Sequence, residues 1–264
     1  MSESHLFRGF RFAGRLPSIE AQRNIQSSLI SELIRDYQIG LFLSIGCAFG
    51  NELNEFYASC EHFRSLDVVA IDLADVNREL HSQAFARALG QRLEWEQLDL
   101  LDIRSLPRYG MFDIVQCGFV LHDICPPDKE QAYQVLADSV RLGGWLILSD
   151  MFPLFSDSPS GIAKEYVSEV KKLYESFIAE ANSARERGIL SADEWNALVG
   201  DGHSPGLKSN LHEALTGSRD FFETQSQTER RLVQAGLVIE RVIQNPINSR
   251  LAVILASPAR TLPL

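Results

Sequence analysis

Leu41-Phe42-Leu43-Ser44-Ile45-Gly46-Cys47-Ala48-Phe49-Gly50-Asn51-Glu52-Leu53 sets the reading of the whole chain. The apolar run from Leu41 to Ile45 reads as a strand, Gly46 to Gly50 as a glycine-bounded turn, and Asn51 onward as the first turn of a helix. A strand that hands the chain through small residues to a helix N-terminus makes a nucleotide-binding corner. Free backbone N–H groups and the positive end of the helix dipole face whatever lies beyond the strand.

Working outward, the same alternation repeats. A helix from Asn51 to about Cys60 leads to a strand at Asp67 to Asp72. A helix from Asp75 to Leu89, capped by Asp75 and stopped by Gly90, leads to a strand at Leu93 to Leu98 that ends at Asp99. Phe112 to Cys117 is a fourth strand. Pro126-Pro127-Asp128 opens a helix to about Leu142, and Gly143-Gly144 turns the chain into a fifth strand, Trp145 to Asp150. Strands and helices alternating at this spacing predict right-handed βαβ units and a parallel sheet covered on both faces.

Upstream, Leu6, Phe7, Phe10 and Phe12 follow no single period. Ser18 to Tyr37 carries a helical pattern in Ile25, Leu29, Leu33 and Ile34, with Ser18 in the N-cap position. Downstream of Asp150 the alternation stops. Residues 151–225 hold no strand-like run. They hold a long amphipathic helix at Ile162 to Arg187, with Tyr166, Val170, Leu173, Tyr174, Phe177 and Ile178 along one stripe. A second helix starts at Ser191, and a loop covers Asp201 to Gly206. A helix at Ser226 to Ala235 then precedes strands at Leu237 to Ile243 and Arg250 to Ala256. The short turn Asn245 to Asn248 between them makes that pair antiparallel. The expected fold is α/β: a doubly wound, Rossmann-like seven-stranded sheet with an antiparallel last strand and a helical insertion between strands five and six. Its parts are an N-terminal arm and helix (1–40), a binding core (41–150), a helical cap (151–225) and a C-terminal part of the core (226–264).

Composition narrows the partners. A net charge of −10 argues against a nucleic-acid-binding surface, which needs a basic footprint. Arg185-Glu186-Arg187 and Arg230-Arg231 are short, mixed, and read as helix surface. Cys47, Cys60, Cys117 and Cys125 show neither C-x-x-C spacing nor histidines at zinc-site spacing, so no metal residues are assigned; His203 and His212 are not read as a metal pair. The polar start Met1 to His5 leads into no signal-like apolar run, and no stretch approaches the roughly 20 apolar residues of a membrane span. The expected location is the reducing cytoplasm.

Three features meet at one edge. The dinucleotide fingerprint G-x-G-x-x-G is broken by Ala48 at its middle glycine, which favours a nucleoside without a pyrophosphate. Asp72 ends strand two, where an acid can accept hydrogen bonds from a ribose diol. Asp99 ends strand three, where a carboxylate can face an adenine amino group. A capping or exposed acid would fit each strand end taken singly. Together with the glycine turn they line the carboxyl edge of adjacent strands, where open α/β sheets bind ligands.

At this level the chain resembles the class I S-adenosylmethionine-dependent methyltransferases. Leu43 to Gly50 resembles the family's first motif, Asp72 its ribose acid, and Leu98-Asp99-Leu100 its adenine-side motif. Phe112 to His122 resembles the fourth-strand motif, and Arg141 to Asp150 the turn into strand five. The resemblance implies S-adenosylmethionine as cosubstrate, held by Gly46, Cys47, Ala48 and Gly50 in the turn, by Asp72 and Leu73, by Asp99 and Leu100, and by Cys117 and Phe119. Ser44 departs from the pattern, standing where the family usually has an acid that helps hold the methionine amino group; Ala48 and Phe49 replace smaller residues. The second half is loosely similar to carboxy-S-adenosylmethionine synthases, a branch that uses arginine to hold an added carboxylate, with Arg219 and Arg231 as candidates. His122 follows strand four at the mouth of the site. It is expected to deprotonate or orient an acceptor, with a backbone-bonded structural histidine as the alternative.

The expected reaction is in-line methyl transfer to a small molecule. The insertion would act as lid, with Phe152, Phe155, Tyr166, Tyr174 and the N-terminal phenylalanines as candidate walls. Its apolar stripe equally suits a homodimer contact. Two other functions share these motifs: an enzyme that makes or uses a modified S-adenosylmethionine, and a binding protein without catalysis.

Overall fold

Strand β1 (Leu41–Ile45) lies in the interior of the sheet, and Phe42, Leu43, Ser44 and Ile45 are all buried. The computed structural model describes residues 10–48, 50–155, 162–200, 206–217 and 220–259. Residues 1–9, Phe49, His203 and Arg219 lie outside these, as do Asp201 to Pro205 of the expected loop. The chain order is α1 (Phe10–Ala13), α2 (Pro17–Asp36), β1, α3 (Asn51–Ser59), β2 (Asp67–Asp72), α4 (Asn77–Ser82), α5 (Ala84–Leu89), β3 (Leu93–Gln97), β4 (Phe112–Gly118), α6 (Lys129–Ser139), β5 (Val140–Met151), α7 (Ile162–Glu186), α8 (Ala192–Val199), α9 (Leu207–Thr216), α10 (Gln225–Gln234), β6 (Leu237–Gln244) and β7 (Leu251–Pro258).

The seven strands lie in the order β3-β2-β1-β4-β5-β7-β6. β1 to β5 run parallel, whereas β7 is antiparallel to both β5 and β6. The chain therefore moves outward from β1 through β3, then crosses back to place β4 on the other side of β1. That reversal opens a crevice at the carboxyl ends of β1 and β4. Alternate residues feed opposite layers. Leu43, Ile45, Val69, Val115 and Cys117 join one core with α6, while Phe42, Val68, Ala70 and Ile114 join the other with α2, α3 and α5. Phe42, Phe56 and Phe63 meet edge-to-face in the second core. A third core unites the insertion with Leu16, Phe119, Met151 and Leu251, so the insertion packs directly on the carboxyl edge.

Some elements differ from the sequence expectation. α2 starts at Pro17, and Ser18 is a buried first-turn residue whose N–H donates to Glu180 (2.9 Å) rather than a cap. The helix expected over Asp75 to Leu89 is two short helices, broken where Gln83 is extended (ψ 148°); Asp75 still accepts the Asn77 N–H (3.3 Å). β5 begins at Val140, before the glycine pair. Gly144 lies so close to the main chain of β4 that a Cβ there would stand 2.8 Å from the Asp113 carbonyl oxygen, and the register shifts between Phe112 and Ile114. α9 had no counterpart in the sequence reading; it buries Leu207, Asn210 and Ala214.

Candidate active site

The turn after β1 is built from left-handed backbone. Gly46 (φ +73°), Ala48 (φ +42°) and Gly50 (φ +76°) all have positive φ, so Ala48 holds a conformation that favours glycine although it carries a Cβ. Cross-strand bonds fix the turn. The N–H groups of Gly46 and Cys47 donate to the Ile71 carbonyl (3.0 and 3.2 Å), and the Ala48 N–H donates to Asp72 Oδ2 (2.8 Å). The other oxygen of Asp72 accepts the Ala74 N–H (3.0 Å). Burial raises the Asp72 carboxyl against these backbone bonds. Asp72 thus ties the turn after β1 to the turn after β2, with Leu73 exposed beside it.

The other expected binding residues divide. Asp99 caps the turn at Leu100–Ser105, accepting the Leu101 N–H (2.9 Å), so the capping alternative holds for one of its oxygens. The Leu100 and Cys117 side chains point into the first core and that of Cys47 into the second. At these positions the side chain is taken up by core packing. Phe119 is left-handed (φ +56°), donates its N–H to the Ser149 carbonyl (2.8 Å) and packs its ring on the insertion.

His122 is buried at the carboxyl end of β4, in the short helical turn Leu121–Asp123. Its Nδ1 meets Asp150 Oδ1 at 2.6 Å, and Asp150 also accepts the His122 and Met151 N–H groups. The side chain is bonded to a carboxylate rather than to backbone. Phe222 stacks on the ring at 5.6 Å with a 12° interplanar angle. The insertion contributes Asp220, which accepts from the Tyr174 hydroxyl; its carbonyl accepts the Tyr166 hydroxyl (2.9 Å). Burial opposes a charge on His122, but the carboxylates of Asp150, Asp123 and Asp220 outweigh it and raise the imidazole to about 9. Burial raises Asp220 to about 6, against the charge of His122 and the Tyr174 hydrogen bond. His122, Asp123 and Asp220 also offer one ligand atom each within 4.8 Å of one another.

Supporting groups hold this corner. Lys129, buried, donates to the Leu121 carbonyl (2.6 Å) and lies 4.0 Å from Glu223. Tyr133 and Arg231 also bond Glu223 (2.8 and 2.6 Å). Arg231, one of the two arginines considered for an extra ligand carboxylate, is thereby engaged in an ion pair with Glu223. Among the wall candidates, Phe152 is core, whereas Phe155 and Tyr166 meet edge-to-face at 5.3 Å in the insertion. Phe12 packs with the insertion core. Asp150 and Asp220 were not assigned a role from sequence. Asp150 satisfied the same criterion as Asp72 and Asp99, an acid ending a parallel strand, whereas no pattern distinguishes Asp220.

Comparison with known proteins agrees with this architecture. Residues 43–146 match the family model of a methyltransferase domain. A methyltransferase of Aspergillus campestris, ungE', is 25% identical over 189 residues, which are 70% of this chain and 54% of the relative. The fold is shared with 1,6-didemethyltoxoflavin-N1-methyltransferase of Burkholderia thailandensis, solved with 1,6-didemethyltoxoflavin and S-adenosylhomocysteine. That match has a TM-score of 0.57 and 14% identity, over 97% of this chain and 88% of that one. It is shared too with the mitomycin 7-O-methyltransferase MmcR (TM-score 0.57, 14% identity, 92% of this chain and 54% of that one). The chain spans about half the length of ungE' and of MmcR. Residues 43–146 of the α/β core are thus similar to a methyltransferase domain, and the N1-methyltransferase that shares the fold was solved with S-adenosylhomocysteine. Among the described residues no helix is long and apolar enough to cross a membrane.

Proposed function

We propose that this protein transfers the methyl group of S-adenosylmethionine to a small-molecule hydroxyl or N–H acceptor held between the carboxyl edge of the sheet and the helical insertion. One observation carries the reading. A buried imidazole paired with a carboxylate, His122–Asp150, stands at the crevice beside the glycine turn and is roofed by Phe222 from the insertion.

In this reading the main chain at Gly46, Cys47, Ala48, Gly50, Cys117 and Phe119 cradles the cosubstrate, Asp72 and Leu73 border its ribose, and Asp99 and Leu100 border its adenine. The methyl carbon moves in line. Its bond to sulfur breaks as its bond to the acceptor oxygen or nitrogen forms, and a neutral thioether leaves. Positioning supplies most of the acceleration. The acceptor proton passes to His122, whose ring Asp150 orients through Nδ1. Tyr166, Tyr174 and Phe222 supply acceptor walls. The exposed Val167, Ile189 and Leu215 of the insertion support a homodimer contact there, and the free cysteines fit a reducing cytoplasm.

The test is S-adenosylhomocysteine release, followed by mass spectrometry, from S-adenosylmethionine and a panel of phenols, enols and heteroaromatic N–H compounds. The expected result is acceptor-dependent release with a gain of one methyl on the acceptor. Release with no member of a broad panel, despite S-adenosylmethionine binding, would leave a binding protein in its place.

A further inference from the structure

Glu52 lies in the first turn of α3 and takes part in no step above. Its carboxylate does not point along the helix surface. Oε2 accepts from Gln116 Nε2 on β4 (2.6 Å) and Oε1 from Gln26 Nε2 on α2 (3.3 Å). A Cβ added to Gly118 would stand 2.7 Å from Oε2, so the carboxylate stands directly over the main chain at the carboxyl end of β4. This is the crevice where the strand order reverses, on the opposite side of Gly46 from Asp72.

The surrounding groups fix that placement. Ser44 donates its hydroxyl to Gln116 Oε1 (2.8 Å), which directs the Gln116 amide nitrogen at Gln26 Oε1 (3.0 Å) and Glu52. Ser44 and Gln26 are fully buried, and both donors to Glu52 are neutral amides. Arg23 is the cation whose field reaches it, and Arg23 donates to the Gly14 carbonyl. Burial raises the Glu52 carboxyl, against the Gln26 and Gln116 hydrogen bonds and the Arg23 charge. A partly desolvated carboxylate supported by neutral donors gains most from a cation that enters with the ligand.

We infer that Glu52 binds the ammonium group at the amino-acid end of the cosubstrate, with the Ser44–Gln116–Gln26 chain positioning it. The inference rests on the S-adenosylmethionine reading. A ligand with its ribose at Asp72 reaches across Gly46 toward β4, which brings its amino-acid end to Glu52. The negative charge that Ser44 lacks on β1 is thus supplied from the start of α3.

Calorimetric titration with S-adenosylhomocysteine and with its deaminated analogue, which lacks only the amino group, separates this role from a structural one. Glu52→Gln should weaken S-adenosylhomocysteine about 10- to 100-fold, the range of a charge-assisted hydrogen bond. It should leave the deaminated analogue bound as tightly as by the wild type. Introducing Ser44→Asp into Glu52→Gln should recover part of the S-adenosylhomocysteine affinity without changing that of the analogue. Equal loss for both ligands, or no loss for either, overturns the inference while leaving S-adenosylmethionine binding in place. Failure of the wild type to bind S-adenosylhomocysteine overturns both.

Discussion

Asp72 and Asp150 end parallel strands on either side of the β1–β4 crevice, and they are held in different ways. Asp72 is bonded by the main-chain N–H groups of Ala48 and Ala74, close to it in the fold and mostly indifferent to side-chain identity. Asp150 is bonded by a side chain, His122, and the pair is completed by Asp220 and Phe222 from the insertion. The first corner is a backbone cradle that suits a constant ligand part. The second is a side-chain cluster assembled from three distant stretches, which suits the variable acceptor and its chemistry.

That contrast predicts separable defects. The largest effect belongs to His122→Ala, which removes the proposed proton acceptor. Turnover should fall about 10²- to 10⁴-fold, the usual worth of general-base catalysis, while S-adenosylhomocysteine affinity stays within about twofold of wild type. Parallel loss of binding and turnover, read by calorimetry and steady-state kinetics, would merge the two corners into one. Next comes Asp150→Asn. The neutral ring takes the proton, and its pKa is raised to about 9, so kcat/KM should climb with pH toward that value. Replacing the carboxylate removes a leading cause of the rise, moving the apparent pKa down by about one unit or more. An unmoved pH–rate profile would mean that the His122–Asp150 pair does not set the titration.

The two corners also differed in how far the sequence revealed them. The backbone cradle was legible because its signals are local: an apolar run, glycines flanking a turn, and acids where strands stop. The parallel, doubly wound sheet and its antiparallel ending followed from the same spacing. His122 was legible as a residue after β4, but its partners were not. Asp150 reaches it only because β4 and β5 pair in register, Cys117 beside Leu148 and Gly118 beside Ser149. Asp220 sits between helices where nothing in the local pattern points inward. Glu52 was hidden differently, since an acid in a first helical turn ordinarily serves the helix dipole. Gly143-Gly144 misled because a glycine pair signals a turn, whereas here Gly144 permits a close approach of β5 to β4.

The most direct test of the central claim, that the Asp72 corner holds the cosubstrate and the His122 corner does the chemistry, is a calorimetric titration of S-adenosylhomocysteine into the wild type, Asp72→Asn and His122→Ala. Loss of the Asp72 charge should weaken binding about tenfold or more, in line with a charge-assisted hydrogen bond, whereas His122→Ala should bind like the wild type at one site per chain. Absence of binding to the wild type, or an affinity that Asp72→Asn leaves unchanged, would contradict it.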